Sequence, residues 1–240
     1  MNKLFNNDIT LHRDSHTYQL LRDSNVNFKS VTTFIGDFFE EFDAKKIATK
    51  LVKSNIKYMH LTAEELMAQW TKASEYGTLV HEELEHFILH NTPVNELKSK
   101  QGVEWLKNYI VKSDFEIYSE AIVYSKELKL AGTIDLLLLD KKTGQYNIMD
   151  WKTSKRISSK AFRHKKGNHT VTSNIDDCNF NHYSLQLSLY RYILETYYDF
   201  NISEQMVIHL EDNRCTGYHA PYMKGHILKM LEYNTNQLKL

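Results

Sequence analysis

The sequence is poor in the residues that would cross-link the chain or divide it. Two cysteines, Cys178 and Cys215, among 240 residues exclude a disulfide framework and a four-cysteine metal or iron–sulfur site. Two prolines mark no linker, and no internal repeat is visible, so one domain with a sizeable core is expected. Net charge is missing as well. Thirty lysines and arginines balance thirty aspartates and glutamates, so any contact with nucleic acid must come from a local patch rather than a global field. No apolar run approaches membrane-spanning length, and the opening residues MNKLFNNDIT lack the apolar core of a signal peptide. These absences predict a soluble protein of the reducing cytoplasm, without membrane contact.

What the chain does have is a change of period. ITLHRDSHTYQLL alternates around a turn and predicts an N-terminal hairpin. Ser30 can cap a helix beginning VTTFIGDFFEEF. Thr62 and Glu65 stand in capping-box spacing at the start of LTAEELMAQWTKASEY, which Gly77 is expected to interrupt before TLVHEELEHFILH resumes. QGVEWLKNYIVKS predicts a further helix. FEIYSEAIVYS, LAGTIDLLLLD and QYNIMDWKT then read as strands, with KKTG as the last turn. A polar, basic stretch from Ser154 to Asn174 precedes a long helix, FNHYSLQLSLYRYILETYYDF. EQMVIHL and GYHAP read as strands before a helical C-terminus. The order predicts one mixed α/β (α+β) domain over 1–240.

The hairpin LAGTIDLLLLD–KKTG–QYNIMDWKT poses the chemical question, because it places charges where both faces look covered. If Asp140 and Gln145 close the turn, paired positions sum to 285, with a one-residue uncertainty, and Asp135 lies opposite Asp150, Cβ atoms roughly 5 Å apart. Lys152 shares that face, which continues into Leu137, Leu139 and Ile148. Ile134, Leu136, Leu138, Met149 and Trp151 are expected on the other. Two close carboxylates in a partly dry site repel. A divalent cation between them removes the conflict, and a neighbouring lysine can then act on an attacking water, as phosphodiester hydrolysis requires. Exposed at a sheet edge, the same residues would be an ordinary salt-bridged turn.

Gly132-Thr133-Ile134-Asp135 followed by Asp150-Trp151-Lys152-Thr153 resembles the PD-(D/E)XK nuclease superfamily, with isoleucine where the name has proline. Gly77-Thr78-Leu79-Val80-His81 is similar to the G-T-x-x-H segment of its RecB-like branch. Gln186-Leu187-Ser188-Leu189-Tyr190 resembles that branch's Q-x-x-x-Y, and Ser30-Val31-Thr32 its S-V-T. The branch includes phage exonucleases and the mitochondrial genome maintenance exonuclease, and the resemblance spans about residues 16 to 195. It implies a restriction-endonuclease-like core over 116–220, a hairpin and helical portion over 1–115, and a C-terminal helix over 221–240. It also implies that His81, Asp135, Asp150 and the Trp151 carbonyl hold Mg²⁺ or Mn²⁺. Lys152 would position and activate water, supported by Gln186 and Tyr190. Independently of the resemblance, Glu120 on the preceding strand falls near the same site, as an extra carboxylate, if that hairpin turns around Lys126. The missing cysteine set separates the chain from cluster-bearing members.

Each element also has a physical reading of its own. His81 sits at the rim of an apolar stripe containing Val80, Leu84, Phe87 and Ile88, where a hydrogen-bonded core histidine is the ordinary alternative to a ligand. HEELEH is no zincin motif, because Glu85 occupies the place of the second histidine. Gln186 inside a helical stripe needs a partner or costs about 1–3 kcal/mol. The run Lys155 to His169 holds Lys155, Arg156, Lys160, Arg163, Lys165 and Lys166 without an acid. With Thr153 it could contact DNA phosphates, and it is expected to be mobile without DNA, although such a run is commonly a solvated loop. The predicted activity is metal-dependent hydrolysis of DNA, with exonuclease action on single strands or ends favoured, in replication, recombination or repair. A structure-selective or restriction-like endonuclease could use the same site. An inactive nucleic-acid-binding module fits less well with an intact acid, acid, lysine and histidine set. A protein–protein scaffold leaves Asp135 and Asp150 unexplained.

Overall fold

Alternating β-branched and leucine-rich segments after residue 114 form the centre of the protein. The computed structural model describes residues 8–12, 15, 17–23 and 25–237, the side chains of 236 and 237 excepted. Its elements are β1 (Ile9–His12), β2 (Thr17–Leu20), β3 (Lys29–Ser30), α1 (Val31–Gly36), α2 (Ala44–Ser54), α3 (Ala63–His90), α4 (Leu97–Ile110) and β4 (Phe115–Ser125). There follow β5 (Leu130–Asp140), β6 (Gln145–Lys152), α5 (Asn179–Tyr197), β7 (Ile202–Leu210), β8 (Cys215–His219) and α6 (Lys224–Gln237). Part of the turn of the N-terminal hairpin and the last three residues of the expected C-terminal helix lie outside the described residues.

The architecture is the expected mixed α/β one: a central mixed sheet with helices on both faces. β5, β6, β7 and β8 run in that order, with β3 beyond β5 and β4 also paired to β5. β4–β5, β5–β6 and β7–β8 are antiparallel, whereas β3–β5 and β6–β7 are parallel. Phe34, Leu185, Leu189, Ile193 and Ile227 cover one face, packed on Leu137, Ile148 and Val207. Val80, Leu84, Val103 and Leu106 cover the other, packed on Leu136, Leu138, Met149, Trp151 and Ile208. Both faces being dry explains why the strands read as near-continuous apolar runs. The β1–β2 ribbon covers Ala131 through Ile9, Tyr18 and Leu20.

Three local expectations are corrected, and one helix is added. The helix capped by Ser30 ends at Gly36 rather than running on through Phe42. The Phe38 carbonyl, which a longer helix would use internally, accepts instead from Asn168 N at 3.1 Å and Thr172 Oγ1 at 3.1 Å. A separate helix, α2, then starts at an Asp43 cap. Its signal is visible as Ile47, Ala48, Leu51 and Val52 at helical spacing. Gly77 does not interrupt α3, which runs unbroken for 28 residues, about 42 Å. The Thr62–Glu65 capping box is formed, and one glycine costs a packed helix only about 1 kcal/mol. Ile134 packs with Leu137 and Ile148 rather than with Leu136 and Leu138, so the alternation of β5 breaks at Asp135.

Candidate metal and active site

The break at Asp135 follows from how the edges of β5 are shared. β4 pairs along one edge for most of its length. On the other edge β6 pairs only with Leu136–Asp140, and β3 only with Leu130 and Ala131. The predicted 285 register holds from Leu136↔Met149 to Asp140↔Gln145, but the ladder stops there, so Asp135 and Asp150 are not a ladder pair. Asp135 Oδ2 instead accepts from Trp151 N at 2.8 Å. A side chain thus takes the amide that the missing rung leaves without a strand partner, as a buried N–H requires. Across the other edge, Glu120 has φ 51°, and the β4–β5 ladder passes from Ser119↔Leu136 to Ala121↔Ile134 without pairing Glu120. A left-handed non-glycine residue costs about 1–2 kcal/mol, and such strain gathers where a site needs it.

The interruption brings two carboxylates to α3. His81 Nδ1 lies 3.5 Å from Asp135 Oδ2, and ligand atoms of His81, Glu120 and Asp135 all lie within 4.8 Å of one another. Glu120, expected only as an addition, is therefore a full member of this group, and Asp150 is not in it. Val80 and Leu84 are buried and fix the rotation of α3 that leaves His81 at the rim of its apolar stripe. Gly77, one turn earlier, allows the close approach of α3. A Cβ there would stand 2.8 Å from Thr153 Oγ1, the residue after Lys152. Gly132 plays the same part on the other face of the sheet, where a Cβ would lie 2.5 Å from Tyr190 Cε1.

Asp150 and Lys152 form a second, drier group beside the first. Asp150 is 2% exposed. Its Oδ1 accepts from Gln186 Nε2 at 3.1 Å, and its Oδ2 meets the Lys152 ammonium as an ion pair. Burial pushes the Asp150 carboxyl up to about 6 against the pull of Lys152, and Asp135 adds to the rise. Burial pulls Lys152 toward neutrality, but Asp150 and Asp135 outweigh it and hold the ammonium above its ordinary range. The Lys152 Nζ also lies 4.8 Å from the centre of the Tyr183 ring. Gln186, half-buried, thus has a partner in Asp150, and its side chain also reaches the buried Tyr190 hydroxyl. The Trp151 carbonyl belongs to the residue whose amide Asp135 holds.

His81, Glu120, Asp135, Gln186 and Tyr190 share a cavity of about 470 Å³ with Ser30, Thr32 and Glu85. The S-V-T, G-T-x-x-H, G-T-I-D and Q-x-x-x-Y residues, distant in sequence, therefore meet at one place. Tyr18 from the N-terminal ribbon also lines it, with its hydroxyl 3.0 Å from Thr133 Oγ1. Burial raises the Tyr18 phenol against the Thr133 hydrogen bond, and Glu120 and Asp135 add to the rise.

The six cations of the basic segment do not line the cavity. All six are exposed; Lys165 pairs with Glu40 at 2.5 Å and Lys166 with Asp176. Instead of a loose run, the segment is tied by its backbone. Ser158 N donates to Asn179 Oδ1 at 2.8 Å, and the Arg156 carbonyl accepts from Asn179 Nδ2 at 2.8 Å. Its beginning is held too: the Thr153 carbonyl accepts from Lys98 Nζ at 2.7 Å, and the Ser154 carbonyl bonds His209 Nε2 at 2.6 Å. Sequence reasoning missed Tyr18, Lys98, Tyr183 and His209. Of these, only Tyr183 had a readable signal, one turn before Gln186 and two before Tyr190 on one helical face.

No protein-family model and no curated protein matches the chain. Among solved structures it is similar to the crystal structure of SSO0001, at 12% identity over 88% of this chain and 75% of that one, with a TM-score of 0.39. The reading of the site therefore rests on its own geometry.

Proposed function

We propose that this protein is a metal-dependent nuclease that hydrolyses phosphodiester bonds in DNA, acting as an exonuclease on single strands or free ends. The observation that supports this most is the His81–Glu120–Asp135 group, three potential ligands within 4.8 Å, beside a lysine held charged by a buried carboxylate. The donor set fits Mg²⁺ or Mn²⁺: hard carboxylate oxygens with a single imidazole, and no thiolate. The buried Asp150 Oδ2, whose partner is the Lys152 ammonium, is a further oxygen suited to such an ion. His81, Glu120 and Asp135 would hold the ion, with Asp150 and the Trp151 carbonyl on the β6 side. When bound, it would polarise the scissile phosphate and lower the pKa of an attacking water. Asp135 also keeps β6 in place through Trp151 N, and Gln186 aligns Asp150. The Lys152 ammonium, kept protonated by its neighbours, orients the water and offsets charge building on the phosphate rather than removing a proton. Lys155, Arg156, Lys160 and Arg163 would bind flanking phosphates outside the cavity.

The deciding experiment incubates the protein with linear, circular and end-blocked DNA, single- and double-stranded, in Mg²⁺ or Mn²⁺ and in chelator. Loss of linear single strands with circles spared is the expected result. Equal cleavage of circles would make the enzyme an endonuclease with the same site. No metal-dependent cleavage of any substrate would overturn the reading.

A further inference from the structure

We propose that Tyr183 is the positioning residue for Lys152, an aromatic platform that fixes where the ammonium points. The inference rests on the reading of Lys152 as the charged group of a hydrolytic site. Lysine has a long, flexible stem and a point charge, so one carboxylate restrains its reach but not its direction. The Lys152 side chain is 18% exposed, and its Nζ touches two things of opposite character: the Asp150 carboxylate and the Tyr183 ring, 4.8 Å from the centroid. A bound metal would compete with Lys152 for Asp150, but it would not compete for the ring. An aromatic face also attracts the ammonium without adding an anion that would repel a phosphate. Tyr183 is placed for this task by α5, whose single face meets three parts of the site. Tyr183 lies against Lys152, Gln186 on the next turn bonds Asp150, and Tyr190 on the turn after fills the space over Gly132.

The test compares Tyr183→Phe, which keeps the ring, with Tyr183→Leu, which removes it, in the full chain. The first measurement needs neither metal nor DNA. The Lys152 Hε signals, assigned by their loss in Lys152→Arg, should be ring-current shifted in wild type and Tyr183→Phe, and unshifted in Tyr183→Leu. The second is single-turnover cleavage of linear single-stranded DNA in Mn²⁺. Tyr183→Leu should be slower by about three- to thirtyfold, the scale of a lost cation–π contact, with the half-saturating DNA concentration unchanged. Tyr183→Phe should restore the rate to within about twofold. If Tyr183→Leu does not fold, Tyr183→Met fills the volume without a π face and should show the same loss. An unshifted Lys152 in wild type, equal losses in the Phe and Leu variants, or a wild-type rate in Tyr183→Leu each overturn the proposal. If wild type cleaves nothing, the nuclease reading fails and this one falls with it. If wild type cleaves and the ring makes no difference, only this one falls.

Discussion

The β5–β6 hairpin is two different structures along one pair of strands. Near the turn, Leu136–Asp140 and Gln145–Met149 form an unbroken ladder in the register that the apolar alternation demands. Beyond it, Gly132–Asp135 have no strand on that edge, β6 continues alone beside β7, and side chains take over the bonding. The first half is mostly leucine, isoleucine and methionine, and the second holds Asp135, Asp150 and Lys152. An apolar ladder is fixed by pattern and needs nothing beyond the two strands. The open half exists only because β3, β4, α3 and α5 each bring something to it. The lesson is that the candidate metal site lies where regular pairing stops.

The comparison breaks most sharply by changing charge without changing shape. Asp150→Asn should reduce cleavage by about 10²- to 10³-fold, the scale of losing one preorganised electrostatic group, while circular dichroism reports an intact sheet. In the apo protein the amide removes the cost of burying a carboxylate but deprives the Lys152 ammonium of its partner, so the urea midpoint should fall. Full activity in Asp150→Asn, measured in Mn²⁺, would show that the open half of the hairpin is not the reactive one.

Metal linkage tests the same half without any substrate. If His81, Glu120 and Asp135 bind one ion, Mn²⁺ at a hundred times its Kd should stabilise the protein by about 2.7 kcal/mol, read as a rise in Tm. Asp135→Asn should abolish the rise, since its amide oxygen can still accept from Trp151 N but no longer carries charge. His81→Ala should weaken the Mn²⁺ titration. If it lowers apo stability and leaves the titration unmoved, His81 is a core histidine.

These two halves were unequally legible. The KKTG turn closed by Asp140 and Gln145 is enough to set the hairpin register up to Leu136↔Met149, and the Ser30 and Thr62 caps are readable from local spacing. The gap at Asp135 was not, because it depends on where the parallel strand β3 joins β5 and on the left-handed backbone of Glu120. Neither has a local sequence signature, which is why alternation alone puts Ile134 on the face of Leu136 and does not bring Glu120 into one group with His81 and Asp135. The end of α1 at Gly36 was hidden for a similar reason: the partners of the Phe38 carbonyl lie about 130 residues away. Motif residues converged as expected, but neighbours without a motif, such as Tyr183, became visible only through contact.

Close packing joins the halves, and a single methyl should probe it. Gly132→Ala would drive a Cβ into the Tyr190 ring, an overpacking cost of about 1–3 kcal/mol. Because Tyr190 also meets Gln186, activity per folded molecule should fall as well. Tyr190→Leu in the same chain should recover stability in urea, because the clashing ring carbon is gone, without recovering activity. Recovery of both would reduce Tyr190 to packing alone.

The smallest effect sharpens the contrast from the regular side. Ile148 is fully buried, opposite Leu137 in the ladder and beside Gln205 of β7. Its face is shared with Asp150 two residues on, so a disturbance here has a short path to the site if the halves are mechanically coupled. Ile148→Val removes one methylene and should cost about 0.5–1.5 kcal/mol, seen as a lower urea midpoint with an unchanged m-value. In the ladder that loss is local, because the flanking rungs hold the backbone and no polar group is left unpaired. Cleavage per folded molecule and the Mn²⁺-induced rise in Tm should therefore match wild type. A variant that keeps its midpoint deficit small yet loses the metal response would show that the ladder tunes the site. The hairpin would then have to be treated as one unit, with its chemistry reaching down into the apolar half.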